Sequence, residues 1–395
     1  MTWTVSGSEP VASAARIPLA EPLIGGNAAA YLAECLESNF VSSVGPFVVR
    51  FEEAFAAAVG ARHAVACASG TAAIHLALLV LDVGPGDEVF VPTLTFVASA
   101  NPIRYVGATP VLVDSEAETF NGDPGLVVEE LDRRARLGLR QPAAIEVVHL
   151  VGHPAQLESV IEAATRHGVP VIEDASEALG ASYRGGPLDR RLVGTVARLG
   201  CFSFNGNKLI TTGGGGMLVT DDVALARRAR HLSTQARLPQ RTYDHDEVGY
   251  NYRLSNLSAA LGLAQLETMP SLLAAKRANA AHYDAAIAEM PGLRRAPRAA
   301  WADPSFWLYT AALDPARTAI TRDGLIEALA RDGIEARPIW TPLHQTRLYA
   351  DVPRLGGSIA EAIFESAVSL PSSSGLGEID RARVTDSLRR AIAEA

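Results

Sequence analysis

Gly200-Cys201-Phe202-Ser203-Phe204-Asn205-Gly206-Asn207-Lys208-Leu209-Ile210-Thr211-Thr212, followed by the four glycines Gly213 to Gly216, is the stretch that decides the fold. An apolar strand at 200–204 runs into a lysine, and a glycine-rich return leads to a second strand at 217–220. Lysine is ordinarily a solvated surface charge, but the neighbours of Lys208 suggest a walled pocket. A desolvated lysine gives up its proton more readily and becomes a nucleophile able to form a Schiff base. Read alone, a lysine at a strand end is more often structural, so the residues upstream carry the decision.

Those residues alternate in pattern. Short apolar runs at 63–67, 88–91, 110–113, 144–150 and 170–173 are separated by helical spacings at 71–81, 96–106, 127–136 and 157–167. Such alternation predicts an α/β fold with a mostly parallel sheet and helices on both faces. Ligands in these sheets bind beyond the carboxyl ends of the strands. Past Asp222 the pattern turns helical, with helices predicted at 255–269, ending before Pro270, and at 271–290. Strands at 306–313 and 335–339 and helices at 321–332, near Ser358 and near Asp380 form a smaller α+β unit. The expected division is a loose tail at 1–16, a large domain at 17–270 and a small domain at 271–395.

Composition narrows the function. The chain has 395 residues, 48% of them hydrophobic, which suffices for a large core. A net charge of −9 supplies no basic excess for neutralising nucleic-acid phosphates. Cys35, Cys67 and Cys201 are scattered without metal-ligand spacing, so no metal site is expected, and so sparse a set suits a reducing cytoplasm. No apolar stretch reaches membrane-spanning length, and 1–16 lacks the pattern of a secretory leader.

Five segments carry candidate chemistry. Ala68-Ser69-Gly70-Thr71-Ala72-Ala73 is a tight strand-to-helix turn; its exposed N–H groups and helix dipole suit a phosphate, although Ser69 and Thr71 are also ordinary caps. Pro92-Thr93-Leu94-Thr95-Phe96 follows a strand end, and Phe96 could stack on a planar ring or sit in the core. Val171-Ile172-Glu173-Asp174-Ala175-Ser176-Glu177 closes a buried strand with acids. Asp174 there could pair with a ring nitrogen through a charge-assisted bond, or simply cap a helix. Ser203 with Lys208 is the fourth. The fifth, Val248-Gly249-Tyr250-Asn251-Tyr252-Arg253-Leu254-Ser255-Asn256, is an aromatic, polar loop opening a long helix. Glu173 reads as scaffold, His149 as a satisfied core histidine or a cofactor contact, and the arginine runs at 133–136 and 227–230 as solvated helix faces.

Phosphate turn, ring stacker, ring-nitrogen acid, then serine and lysine is the order a pyridoxal phosphate site needs. With His149-Leu150-Val151-Gly152-His153-Pro154 and Gly249-Tyr250-Asn251-Tyr252-Arg253-Leu254, the chain resembles the DegT/DnrJ/EryC1/StrS sugar aminotransferases over about residues 17–350. That resemblance implies fold type I of the pyridoxal phosphate enzymes, with a seven-stranded sheet in the large domain. It implies pyridoxal 5'-phosphate held covalently by Lys208, with Asp174 at the pyridine nitrogen and Phe96 over the ring. Gly70, Thr71 and Ser203 would hold the phosphate, and Asn251 would reach the phosphate bound by the partner subunit of a homodimer. Glu177 stands where many relatives have glutamine near the ring hydroxyl. A carboxylate beside a phenolate is repulsive unless one of them carries a proton.

The segments 40–45, 203–208 and 306–308 resemble the branch acting at C4 of nucleotide-linked 4-keto-6-deoxy sugars, as in legionaminic-acid, bacillosamine and perosamine pathways. Expected partners are such a keto sugar and L-glutamate as amino donor. Arg337-Pro338-Ile339-Trp340-Thr341-Pro342-Leu343-His344 resembles a family segment near the substrate mouth, where Arg337 or His344 could meet the nucleotide diphosphate, a plain surface loop being the alternative. Two alternatives stand beside this reading. One is a dehydratase of the same family, whose members carry histidine where this chain has Lys208. The other is a non-catalytic regulator that binds the cofactor, which would bring a nucleic-acid-binding module not visible here.

Overall fold

The structure, a computed structural model, describes residues 16–239 and 243–394. The expected tail, apart from Arg16, lies outside the described residues. Eight strands form the main sheet. In spatial order they are His63–Cys67, Gly216–Thr220, Leu199–Ser203, Val171–Asp174, Ala144–Val148, Glu88–Pro92, Thr109–Val113 and Arg354–Leu355. The strand Gly216–Thr220 runs antiparallel to both of its neighbours, and the other pairings are parallel. The sheet thus has one strand more than the seven expected. The extra one, Arg354–Leu355, is only two residues long, and Leu112 and Asp114 donate to the chain at Pro353 and Leu355. Two residues are too few for a period of two to register in the sequence.

Each face of the sheet has its own core. On one, Phe51, Phe55, Phe202 and Phe204 pack edge to face, with ring centroids 5.1–6.0 Å apart. Aromatic pairs in this geometry add to the area they bury, by about 0.5–1.5 kcal/mol each. On the other, the helix Gly70–Val80 lies against the sheet, buried almost all round. Ser69 caps that helix by accepting from Ala72 N at 3.0 Å, so the strand His63–Cys67 turns into it within two residues.

The helix Asn256–Ile287 is continuous through Pro270, where two helices were expected. Proline removes one hydrogen bond there and strains the preceding turn. The helix continues because both flanks are buried: Leu263, Leu266 and Leu272 in the large core, Ala280, Tyr283 and Ile287 in the C-terminal one. That second core lies between the antiparallel strands 293–294, 309–313, 337–338 and 367–370 and the helices Arg322–Arg331 and Glu378–Ala393. Ile17, expected in the large domain, belongs to this C-terminal core. Its N–H and C=O pair with Gly333 and Glu335, and its side chain is buried beside Ile334. The apolar residues after it are broken up by Pro18 and Pro22, so no strand or helix period betrays that docking.

Candidate active site

Four parallel strands, Glu88–Pro92, Ala144–Val148, Val171–Asp174 and Leu199–Ser203, and the turn after His63–Cys67 end along one edge, and residues at or just past these ends converge on a single cavity of about 230 Å³. It is lined by Gly70 and Thr71, by Phe96 and Ser99, by Asp174 and Glu177, and by Ser203 and Lys208. This is the carboxyl-end crevice expected of an open α/β sheet. Seven residues singled out in the sequence (Gly70, Thr71, Phe96, Asp174, Glu177, Ser203 and Lys208) therefore meet in one place.

The floor is tightly built. A Cβ at Gly70 would lie 2.8 Å from Ser203 Cβ and 3.2 Å from Ser176 Oγ. A Cβ at Gly216 would lie 2.4 Å from Ser69 O. Only glycine lets these backbones approach so closely, and the result is a helix N-terminus opening into the cavity beside Ser203. Asp174, 4% exposed, accepts from Ser99 Oγ at 2.8 Å and from the Ser176 N–H at 3.0 Å, and Ser99 is bonded in turn to Thr95 Oγ1. The carboxylate is held in one orientation at the base of the cavity.

Lys208 has a side chain 13% exposed, and its Nζ lies 3.9 Å from Glu177 Oε1. The indole of Trp307 covers the amine, with its ring centroid 3.7 Å from Nζ. Burial pulls the Lys208 pKa down, while Glu177 and Asp174 oppose the shift. Burial pushes Glu177 up; Lys208 and the Val151 N–H counter it. Glu177 Oε2 accepts from Val151 N at 2.7 Å and Oε1 from Trp340 Nε1 at 3.2 Å. Trp340 packs on Phe96 with centroids 4.9 Å apart, and Phe96, 48% exposed, stands at the mouth.

His149 and Glu173 are scaffold. Glu173 accepts from the backbone N–H groups of Gly194, Val196 and Ala197 and from His149 Nε2; His149 Nδ1 accepts from Ala155 N.

Three expected residues do not line this cavity. Arg337 is exposed and bonded to Glu335 at 2.7 Å, beside a separate open cleft of about 990 Å³ that it shares with Arg16 and Arg390. His344 is tied to Thr93 Oγ1 at 2.7 Å and to Glu361 at 2.9 Å. Asn251 is exposed on a loop bridged to Thr234, so within one chain nothing brings it to the site. The segment 337–344 reaches the cavity instead through Trp340. Ser99, Trp307 and Trp340 were missed as site residues. Trp307 and Trp340 lie in quoted segments but have no periodic signal, and Ser99 looks like any serine in a first helical turn.

This arrangement offers phosphate donors at one end, a fixed carboxylate at the other, an aromatic cover and a buried amine alongside. The residues present fit pyridoxal 5'-phosphate.

Comparison with known proteins agrees with the geometry. The DegT/DnrJ/EryC1/StrS aminotransferase family matches residues 22–389. GDP-perosamine synthase of Caulobacter vibrioides is 42% identical over 374 residues, 94% of this chain and 97% of the relative. Among solved structures, DesV of S. venezuelae superposes with a TM-score of 0.83 at 34% identity, covering 95% of this chain and 98% of that one. The sugar aminotransferase Spr1654 from Streptococcus pneumoniae, solved in a PLP form, superposes with a TM-score of 0.84 at 25% identity, covering 96% and 99%.

Proposed function

Given that the chain belongs to the DegT/DnrJ/EryC1/StrS aminotransferase family, whose members use pyridoxal 5'-phosphate, we propose that it moves an amino group from glutamate to the C4 ketone of a nucleotide-linked 4-keto-6-deoxyhexose. The observation that carries the reading is the buried Lys208 amine, set 3.9 Å from Glu177 in the cavity that also holds Asp174 and the helix N-terminus at Gly70. Relatives named GDP-perosamine synthase support a nucleotide-linked sugar as acceptor.

When bound, the cofactor supplies an electron sink for charge developing beside the transferred amine. Each residue has a task around it. The N–H groups at Gly70 and Thr71, with Ser203, bind the phosphate. Asp174, oriented by Ser99, meets the ring nitrogen and keeps it protonated. Phe96 and Trp340 cover the ring and exclude water. Lys208 would anchor the cofactor, and its amine, with proton affinity lowered by burial, would take the proton from the Cα of the amino donor as general base and deliver it to the cofactor's C4′ as general acid. Glu177 lies beside the amine and carries a proton more readily than an ordinary carboxyl, which relieves its repulsion from a neighbouring phenolate.

Asn251, exposed at the start of the loop before the long helix, is the side chain a second copy would lend to the phosphate. Leu36, Phe40, Val41 and Val44, each more than 40% exposed, give the apolar face a homodimer needs. No helix among the described residues is long and apolar enough to cross a membrane. The proposed location is the cytoplasm, where nucleotide sugars are made.

The test is to incubate the protein, pyridoxal 5'-phosphate and glutamate with a panel of UDP-, GDP- and dTDP-linked 4-keto and 3-keto sugars. Mass spectrometry then scores which sugar gains an amine. A 4-keto sugar should react and Lys208→Ala should abolish turnover. Reaction of a 3-keto sugar alone would refute the regiochemistry, and near-normal turnover by Lys208→Ala would refute the role of the amine.

A further inference from the structure

A second buried lysine stands behind the site. Lys276, on the long helix Asn256–Ile287, is 3% exposed, and its Nζ donates to the Trp307 carbonyl at 2.9 Å. That carbonyl is the one hydrogen-bond partner found for the amine among the described residues. The same tryptophan has two further ties. Its Nε1 donates to Asn207 O at 2.7 Å, one residue before Lys208, and its ring lies over the Lys208 amine.

The turn that carries Trp307 needs holding. Phe306 has φ of 51°, left-handed backbone in an aromatic residue, a strained conformation that persists only where the surroundings over-determine it. The neighbouring Arg277 grips the same turn, donating to Pro304 O at 3.2 Å and pairing with Asp303 at 2.9 Å. On the other side Ser305 N donates to Gly152 O at 2.9 Å. Arg277 thus secures the start of the turn and Lys276 its end, where the indole departs.

We propose that Lys276 is a positioning residue for Lys208: by gripping the Trp307 carbonyl it holds the indole over the reactive amine and keeps that amine dry. Burying an amine is costly, and the cost is visible here. Desolvation, with a smaller contribution from the charge on Lys208, brings Lys276 down to about 7. An apolar residue would fill this space more cheaply. What lysine adds is a donor long enough to reach from the helix to the turn.

The proposal rests on Lys208 being the amine that takes the cofactor, and the experiment separates the two. Wild type, Lys276→Met, Trp307→Ala and the double variant are each mixed with pyridoxal 5'-phosphate. Two quantities are followed: the rate of covalent capture at Lys208, fixed by borohydride and located by peptide mass, and the pH midpoint of the adduct's absorbance. Lys276→Met should slow capture roughly tenfold, mid-range for the coupling between touching residues, and should move the midpoint. In the Trp307→Ala background most of that slowing should vanish, because the indole it acts through is gone and only the weak direct repulsion between the two amines remains. Equal slowing in both backgrounds, or a wild-type rate and midpoint in Lys276→Met, overturns the proposal. Absence of any wild-type adduct at Lys208 overturns the underlying reading instead. Should Lys276→Met fail to fold, Lys276→Gln, with a shorter donor, replaces it in the same cycle under the same criteria.

Discussion

Replacing Glu177 with glutamine should make Lys208 a stronger nucleophile at neutral pH. The carboxylate oxygen lies 3.9 Å from the amine. At an effective dielectric of about 20, a unit charge pair at that separation interacts by roughly 4 kcal/mol, the ceiling on what the anion lends the ammonium. The working value is smaller, because burial already raises Glu177 and so reduces the time it spends charged. Capture of pyridoxal 5'-phosphate below the Lys208 pKa should therefore accelerate by roughly tenfold or more. The sign follows from the favoured form: removing the anion withdraws support from the ammonium and leaves burial to favour the neutral amine. Glutamine can still accept from Val151 N, but its amide then faces the Trp340 N–H, and that bond is lost. Trp340→Phe breaks the same bond without removing the charge and serves as the control. The assay is the rate of borohydride-fixable adduct formation by apoenzyme between pH 6 and 10 (about four decades of proton activity). An unchanged or raised midpoint in Glu177→Gln, or an equal shift in Trp340→Phe, would refute the electrostatic account of this pair.

Three other outcomes follow from the geometry. Gly216→Ala drives a methyl to 2.4 Å from Ser69 O and 2.6 Å from Gly70 N, so it should destabilise the fold by about 1–3 kcal/mol and weaken cofactor binding; calorimetry and a cofactor titration check both, and wild-type values in each would show that the turn is not tightly built. His153 should make the protein acid-sensitive. Burial pulls its pKa from 6.5 down to about 4, against the opposing hydrogen bond from Nδ1–H to Pro154 O, and the neutral ring accepts from Ala299 N through Nε2. The unfolded chain binds a proton in that window and the folded one does not. Stability should therefore drop between pH 6.5 and 4, by about 3 kcal/mol at most, and a His153→Gln melt should show a shallower drop. Glu146 lies 1% exposed in a central strand with no partner for either oxygen among the described residues, and burial, then Asp174, push its pKa well up. Its raised pKa costs stability as pH rises through and beyond the unfolded value. Glu146→Met should thus raise the melting temperature, and by more at pH 7 than at pH 4; a lower Tm at pH 7 would contradict this.

The sequence was most informative where local chemistry and chain order coincide. Ser69-Gly70-Thr71 after an apolar run, Asp174 at the end of another, and Lys208 before four glycines are each defined by residues a few positions apart, and the structure places all of them at strand ends. Where an expectation depended on the direction of a side chain, the sequence had nothing to offer. Arg337 turns to Glu335 and His344 to Thr93 and Glu361, while Trp340 between them enters the cavity; a short irregular segment has no period to say which residue faces in.

The chain alone determined the alternation of strand and helix and the order of the residues that meet in the cavity, Lys208 among them, because each is encoded in spacing along the backbone. Only the tertiary structure decided what surrounds that amine. Glu177 is 31 positions from Lys208, and Trp307 and Trp340 come from the C-terminal unit, more than 90 positions away. Burial, the proton balance between Lys208 and Glu177 and the grip of Lys276 on Trp307 all arise from contacts between segments remote in sequence. Desolvation and Coulomb interaction depend on distance in space, which no local pattern records.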